Sequence, residues 1–323
     1  MQLLRDYGEI PGGKNELKFL LYPFYKFYPL KLWSKFRWWR KSKIAYFLPQ
    51  LNYSKEWLTV IDRLGAPGDT LITSIVIQSI KTSYPTLKIN CITAHPELIR
   101  LDPNIDAINE KETFYSFDST YWELVARKEK SQNIIDHNMQ RLGIRKYDYK
   151  AYFYLSEEEK LWAQNQTYQF EKPILAICTK SKEPVKNWPE ANWAKLIKNL
   201  KEKFSIIQLG DGKEPTFEDV FRYAGKLSMR ESAAILSHSS YFIGPDSLLM
   251  HMANGLSIPS TIIFGGSRPI ECFGYTDNIN LYSKPHCAPC WIQHETESCN
   301  ENLKCLNEIS VNQVISSIKR VFV

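Results

Sequence analysis

The chain after residue 56 alternates short apolar runs with amphipathic stretches, and this alternation constrains the fold more than any other feature. Apolar runs of four to eight residues predict buried strands, and apolar residues three or four positions apart predict helices. Strands that alternate with helices form parallel sheets covered by helices. The pattern predicts strands at 57–64, 87–93, 174–178, 205–209, 241–243 and 260–264, and helices at 70–83, 190–201, 229–237 and 247–254.

The two series of strands and helices predict two domains, which suits a chain of 323 residues. We expect an α/β protein made of two facing, doubly wound, Rossmann-like domains, at 56–168 and 169–323. A capping box at Ser156 and Glu159 precedes the boundary, and Ser310 is expected to cap the last helix.

An N-terminal extension, residues 1–55, differs in composition from the rest. It has eleven Lys and Arg against three Asp and Glu, so its net charge of +8 exceeds the net charge of the whole chain, which is +6. Its basic and aromatic residues suit an anionic membrane surface. Residues 14–47 are therefore predicted to dock there or to form a homo-oligomer contact, and a folded arm or nucleic-acid stacking stays open. Lysines and prolines interrupt each apolar run, so we expect a cytoplasmic protein, peripheral on the inner face of the membrane.

Seven cysteines are an odd number and do not form the dense framework of a small secreted domain. Four of them cluster in the loop 286–306, as Cys287, Cys290, Cys299 and Cys305. Four sulfurs at this spacing predict a structural zinc or iron site, in which His286 or His294 is an alternative ligand. The alternative is four free cysteines.

Three loops follow predicted strands, where the ligands of such sheets bind. Gly68-Asp69 offers a carboxylate that can accept a proton from a hydroxyl, although an Asp here is also a common helix cap. Gly244-Pro-Asp246-Ser247 leads into a helix whose free N–H groups suit a pyrophosphate, unless these residues are only caps and His251 only a core residue. The loop from Thr179 to Pro189 is basic, as a solvated loop also is.

The order and spacing of these loops resemble the heptosyltransferase family, glycosyltransferase family 9. The resembling segments are Gly68-Asp69-Thr-Leu71, Lys186-Asn-Trp188-Pro189, Gly244-Pro-Asp246-Ser247-Leu248-Leu-Met-His251 and Ile262-Ile-Phe264-Gly265. The resemblance covers about residues 57–320. Some members, the autotransporter heptosyltransferases among them, hold a metal with similar cysteines.

The resemblance implies a GT-B fold and an inverting transfer of a sugar from ADP-heptose or a similar nucleotide sugar, with no catalytic metal. The acceptor is a hydroxyl of a glycan, lipid or protein, bound on the side of the N-terminal domain. Asp69 is implied as the base, and Lys186 as the cation that stabilises the departing diphosphate. The implied donor-binding residues are Gly68, Thr179, Lys180, Glu214, Leu227, Asp246, Ser247, Leu248 and His251.

Two departures from the family pattern keep other functions open. Leu248 replaces a glycine beside the expected phosphate site, and the segment 110–132 is short where the family usually has a further strand and helix that help shape the acceptor site. The main alternative is therefore a catalytically impaired member that acts as a binding or scaffold protein. A sugar-nucleotide 2-epimerase is disfavoured, because Gly68-Asp69 and the Lys186-x-Trp-Pro stretch occur together in the resembled family.

Overall fold

The computed structural model describes residues 43–292 and 298–322. Residues 1–42, which make up most of the predicted extension, lie outside the described residues, as does His294. Each predicted domain contains one parallel β-sheet, covered by helices. Within the described ranges we find no helix with the length and apolarity that a bilayer crossing needs.

The first sheet has four strands in the order β3-β2-β1-β4. Strand β1 lies in its interior and is buried from its second residue onward, which explains why the strand is mostly apolar. The elements of this part are α1 (Ile44–Ser54), β1 (Trp57–Asp62), α2 (Pro67–Ser83), β2 (Lys88–Ile92), a 3₁₀ turn (Pro96–Leu98), β3 (Ala107–Ile108), β4 (Tyr115–Ser119), α3 (Trp122–Ala126), α4 (Ile134–Leu142) and α5 (Glu157–Thr167).

Residues 110–132 contain a strand, β4, and a helix, α3, which corrects the expectation that this segment is too short for a further strand and helix. The strand was hard to predict because Ser116 and Ser119 are buried polar residues that interrupt the apolar pattern around Phe117. Helix α1 lies inside the range assigned to the extension. Its buried Ile44 and Leu48 belong to the main hydrophobic core, so this helix packs on the first domain.

The second sheet has six strands in the order β10-β9-β8-β5-β6-β7. The short edge strands β7 and β10 were not predicted. The elements are β5 (Ile174–Ile177), a 3₁₀ turn (Pro184–Lys186), α6 (Glu190–Leu200), β6 (Ser205–Gln208), β7 (Phe221–Arg222), α7 (Met229–Ser237), β8 (Tyr241–Pro245), α8 (Leu248–Gly255), β9 (Ser260–Ile263), α9 (Ile270–Phe273), β10 (Ile279–Leu281), α10 (Lys304–Asn307) and α11 (Val311–Phe322).

Both sheets contain a topological switch point, at which the chain reverses the direction in which it adds strands. In the first sheet this point lies between β1 and β4, and in the second it lies between β5 and β8. Ligands of open α/β sheets bind in the crevice beyond the carboxyl ends of the strands at such points. We therefore expect ligand-binding residues in the loops that follow these four strands.

Arg230 on α7 joins the two domains through buried hydrogen bonds. Its guanidinium donates to Oε1 and Oε2 of Glu159, at 2.5 and 2.6 Å, and to the carbonyls of Glu97 and Tyr154, at 2.9 and 2.7 Å. Bonding to Arg230 lowers the pKa of Glu159 to about 2, against the effect of burial. Glu159 also completes the predicted capping box with Ser156, which the structure confirms. Helix α2 of the first domain also packs on helix α8 of the second. The helix packing and the hydrogen bonds of Arg230 together fix the two sheets relative to each other.

Candidate active site

Asp69 lies in the first turn of α2, directly after the loop that follows β1. The helix begins at Pro67, three residues earlier than predicted, and its N-cap is Ala66. The Asp69 carboxylate does not cap the helix. Instead its Oδ1 accepts a hydrogen bond from the hydroxyl of Tyr121 at 2.7 Å. Pro67 suits the first helical position, because its missing N–H has no partner there in any case.

The environment of Asp69 makes its carboxyl group a much weaker acid than usual. Burial raises its pKa from 3.8 to about 7, and the negative charge of Asp62 adds to the rise, while Tyr121 and the more distant Lys186 oppose it. At neutral pH the carboxylate is therefore about half ionised. A general base is most effective when its pKa lies near the working pH.

Asp62, at the end of β1, holds the loop that carries Asp69. Its Oδ1 accepts the N–H of Gly65 at 3.1 Å, and its Oδ2 accepts the hydroxyls of Thr70 and Thr93 at 2.7 and 3.1 Å. Asp62, Thr70 and Thr93 are all buried. Because the bonds reach both ends of the loop, they fix the position of Asp69 in the first turn of the helix.

Lys186 faces this region from the second domain, at the end of the 3₁₀ turn after β5. Its Nζ lies 2.9 Å from Oδ2 of Asp246 and 3.3 Å from Oε2 of Glu183. Burial would lower the pKa of Lys186, but the two carboxylates outweigh it and the pKa is raised. Burial would raise the pKa of Asp246, yet Lys186, with help from His251 and Arg268, lowers it. Both groups are therefore charged at neutral pH.

Helix α8 begins beside this ion pair, at the carboxyl end of β8. Ser247 is its N-cap residue, with extended backbone, and its side chain makes no capping hydrogen bond. The first N–H groups of the helix are thus not capped by the Ser247 side chain, and uncapped groups of this kind can bind an anion. Leu248 has an ordinary negative φ, since it is not among the residues with positive φ, so the backbone does not require a glycine at this position.

His251, also on α8, packs against the loop of Asp69 from the opposite domain. A Cβ atom placed on Gly68 would lie 2.9 Å from Cδ2 of His251, so only a glycine allows this approach. The Nδ1 atom of His251 shares a hydrogen bond of 2.7 Å with the hydroxyl of Tyr275. Burial lowers the pKa of His251 to about 4, so the imidazole is neutral at pH 7. Gly68 and His251 thereby bring the two domains into contact at the site.

Thr179 and Glu214 form a buried pair at the carboxyl end of β5. Oε2 of Glu214 accepts the hydroxyl of Thr179 and, at 3.1 Å, its backbone N–H. Burial raises the pKa of Glu214 to about 7. Leu227 packs against the main core. The structure therefore places Glu214 as a support of the strand end, already engaged by Thr179.

A cleft of about 410 Å³ opens beside Thr179 and Lys180. Nζ of Lys180 donates to the carbonyl of Lys213 at 3.2 Å across its mouth. The remaining lining residues come from the Lys186 loop, helix α6 and the loop after β6, and are Asn187, Trp188, Pro189, Glu190, Trp193 and Pro215. The volume suits part of a small-molecule ligand.

Four residues of this region were missed by the sequence analysis, namely Tyr121, Glu183, Arg268 and Tyr275. Arg268 follows β9 and lies 5.7 Å from the ring centres of both Phe273 and Trp291. Tyr121 follows β4, so its position was hidden as long as that strand was unknown. These residues could have been found by considering the residues after the end of every strand, because ligands of such sheets bind there.

The four clustered cysteines lie in one neighbourhood of the second domain. Gly266 connects two of them, since its carbonyl accepts the N–H of Cys290 at 3.0 Å and its N–H donates to Sγ of Cys305 at 3.0 Å. Burial raises the pKa of Cys305, and charge on Cys299 and Cys290 adds to the rise. Thiols suit zinc or iron, but across residues 43–292 and 298–322 no three such side chains converge to hold a metal ion.

The fold is GT-B, with two facing Rossmann-like domains and a site between them. A glycosyltransferase of family 9 from Veillonella parvula has a TM-score of 0.63 at 14% identity, covering 82% of this chain and 96% of that chain. The iron-containing dodecameric glycosyltransferase TibC from enterotoxigenic Escherichia coli has a TM-score of 0.66 at 18% identity, covering 82% of this chain and 76% of that chain. TibC has also been solved in complex with ADP-D-beta-D-heptose.

Sequence comparison adds the family to the fold. The model of glycosyltransferase family 9 (heptosyltransferase) matches residues 121–301, more than half of the chain. The chain therefore belongs to glycosyltransferase family 9. Lipopolysaccharide heptosyltransferase 1 of Pseudomonas aeruginosa is 29% identical over 128 residues, which are 36% of this chain and 36% of that protein. The chain matches such curated relatives over about a third of their length.

Proposed function

We propose that this protein is an inverting glycosyltransferase that moves heptose, or a similar sugar, from a nucleoside diphosphate donor to a hydroxyl group. The observation that carries the proposal is the juxtaposition of Asp69 in one domain with Lys186, Asp246 and the start of α8 in the other. Proton acceptor and anion-binding groups face each other across one crevice, as a transfer between two substrates requires.

Inversion follows from a single displacement. The acceptor oxygen forms a bond to the anomeric carbon while the bond from that carbon to the diphosphate oxygen breaks, and the bonding electron pair leaves with the diphosphate. The proton of the acceptor hydroxyl passes to Asp69, which must be ionised to receive it. The pKa of about 7 supports this role, because the group then accepts a proton readily near neutral pH.

Charge that grows on the diphosphate has two sources of stabilisation. The ammonium group of Lys186 has three N–H donors, and its contacts with Asp246 and Glu183 leave one for a phosphate oxygen. The N–H groups at the start of α8 add a partial positive charge. Both are held in place before the reaction, so they need little rearrangement in the transition state.

The substrate assignment rests on the family and on its relatives. The family name and the ADP-heptose complex of TibC support an ADP-linked heptose as donor. The acceptor we propose is a glycan, lipid or protein hydroxyl. The lipopolysaccharide named for the Pseudomonas relative supports a glycan or glycolipid first.

Titration calorimetry with ADP tests the donor site. We expect Lys186→Ala to weaken ADP binding about 10- to 100-fold, the value of a charge-assisted hydrogen bond. Lys201→Ala is the matched control, because Lys201 pairs with Asp219 at 2.8 Å on the surface. Equal weakening in both variants, or unchanged affinity in Lys186→Ala, contradicts the site.

An NMR assignment of the anomeric configuration of the product tests inversion, and retention of configuration contradicts it.

We further propose that Cys287, Cys290, Cys299 and Cys305 hold a structural zinc or iron ion, as the spacing predicts. The bonds that Gly266 makes to Cys290 and Cys305, and the iron of the structural neighbour TibC, support this. The basic segment 14–47 is proposed to dock on an anionic membrane or on a second copy of the chain. Of that segment only residues 43–47 are described, and Ile44 among them is buried.

A further inference from the structure

Tyr121 is the nearest hydrogen-bond donor to the carboxylate of Asp69 and has no assigned role. It follows β4, and Asp69 follows β1, so the two residues leave neighbouring strands at the switch point of the first sheet. The register pairs Asp62 with Ser119, which sets the two strand ends side by side. The topology thus brings a phenol and a carboxylate together where a substrate is expected.

The geometry of the pair is specific. The hydroxyl of Tyr121 donates to Oδ1 of Asp69 at 2.7 Å, and the structure shows no described side chain that donates to Oδ2. The ring of Tyr121 also meets Phe273 of the second domain edge-on, with centres 5.5 Å apart. Tyr121 is therefore fixed by contacts in both domains and holds one oxygen of the carboxylate.

We propose that Tyr121 is a positioning residue for the transfer: it fixes Oδ1 of Asp69 and leaves Oδ2 directed at the acceptor hydroxyl. The inference rests on the proposed function and deepens it. Without the hydrogen bond the carboxylate is free to rotate, and its ionised form loses a stabilising partner.

Other charged and titratable groups face Asp69 and have to be considered. Asp62 lies behind it on β1, and Lys186 lies across the crevice. Tyr275 also interacts with Asp69 but stays neutral, because burial and nearby carboxylates raise its pKa. His251 contacts the adjacent Gly68.

Of these neighbours, Lys186 keeps its charge and His251 its neutral form between pH 6 and 9. Tyr121 itself stays protonated, because burial and Asp69 raise its pKa well above the usual value. The positive charge of Arg268, on the second domain, opposes this rise without cancelling it. The hydroxyl of Tyr121 is therefore the donor of the bond throughout this range.

The experiment compares the wild type with Tyr121→Phe in two readouts. The first is the titration of Asp69, followed by NMR in protein with ¹³C-labelled aspartate carboxyls and assigned with Asp69→Asn. Glu214, which also titrates near pH 7, is silent with this label. We expect the pKa of Asp69 to rise by about one pH unit in Tyr121→Phe.

The second readout is the pH dependence of kcat/KM for transfer from ADP-heptose. A rise of one unit leaves about a tenth of Asp69 ionised at pH 7 instead of half, so kcat/KM falls about fivefold from ionisation alone. The deficit narrows toward pH 9, where both proteins are ionised, and KM for the donor stays the same. Tyr147→Phe is the matched control, since Tyr147 also donates to an aspartate, Asp136, at 2.7 Å.

The outcomes separate this inference from the proposed function. If Asp69→Asn loses transfer but Tyr121→Phe titrates and reacts as the wild type does, the positioning role is wrong and the function stands. If the NMR pKa rises but transfer does not depend on Asp69, the role of Asp69 as the base in the proposed function is wrong. A loss of transfer that is equal at every pH, together with an unchanged NMR pKa of Asp69, contradicts the hydrogen bond on which the positioning role rests. Should Tyr121→Phe fail to fold, Phe273→Leu removes the ring contact alone, and a smaller pKa rise in the same direction is expected.

Discussion

Replacing Asp69 by Asn should stabilise the protein while it abolishes most of its activity. Asn keeps the size of the side chain and an oxygen that accepts the hydroxyl of Tyr121, but it carries no charge. In the wild type, folding forces the carboxylate into surroundings that disfavour its ionised form. Functional sites often hold such groups at the expense of stability.

The magnitude follows from the pKa of Asp69, which burial raises from 3.8 to about 7. Because the folded state holds its proton more tightly than the unfolded state does, the contribution of Asp69 to stability is largest below pH 4. It is lost as the pH rises to about 7, at about 1.4 kcal/mol per pH unit and about 4 kcal/mol in total. Partial contact with solvent in the crevice reduces this figure, so we expect a gain of about 2–4 kcal/mol for Asp69→Asn at pH 8.

Urea unfolding of both proteins at pH 4, 5, 6, 7 and 8 measures the effect. The difference in the free energy of unfolding should be near zero at pH 4, grow steadily to pH 7 and then level off. Transfer at pH 8 should fall by about 10²–10⁴, as expected for the loss of a general base. A difference that is independent of pH, or a variant less stable than the wild type at pH 8, contradicts a raised pKa of Asp69 in the folded state.

Three other changes have defined outcomes. Gly68→Ala should lower the free energy of unfolding by about 1–3 kcal/mol, because the added methyl group overpacks against His251. A double-mutant cycle should show a smaller loss in the His251→Ala background, and equal losses would contradict the contact. Cys305→Ser should reduce the zinc or iron content measured by mass spectrometry, and the control Cys91→Ser should leave that content unchanged. A wild-type protein that is fully stable without metal would contradict the metal site. Deleting residues 1–42 should preserve folding and ADP binding but remove salt-sensitive binding to anionic vesicles, and equal vesicle binding by both proteins contradicts docking.

The sequence predicted the two α/β series because buried parallel strands are largely apolar, as β5 is over its whole length. It also located Asp69, Lys186 and Asp246 in loops after strands, and the structure brings these loops together. It missed β4, whose buried serines break the apolar pattern, and with it Tyr121. The partners of each group, such as Glu183 beside Lys186, depend on tertiary packing, which no local pattern encodes.

We propose that Asp69 receives the acceptor proton during transfer of a sugar from a nucleoside diphosphate. The most direct measurement is the intact mass of a heptose-free lipopolysaccharide core oligosaccharide after incubation with ADP-heptose and the protein, at pH 8. We expect a gain of one heptose per acceptor with the wild type and almost none with Asp69→Asn, although both proteins bind ADP equally well in calorimetry. An Asp69→Asn variant that transfers the sugar as fast as the wild type would contradict the role of Asp69 as the base.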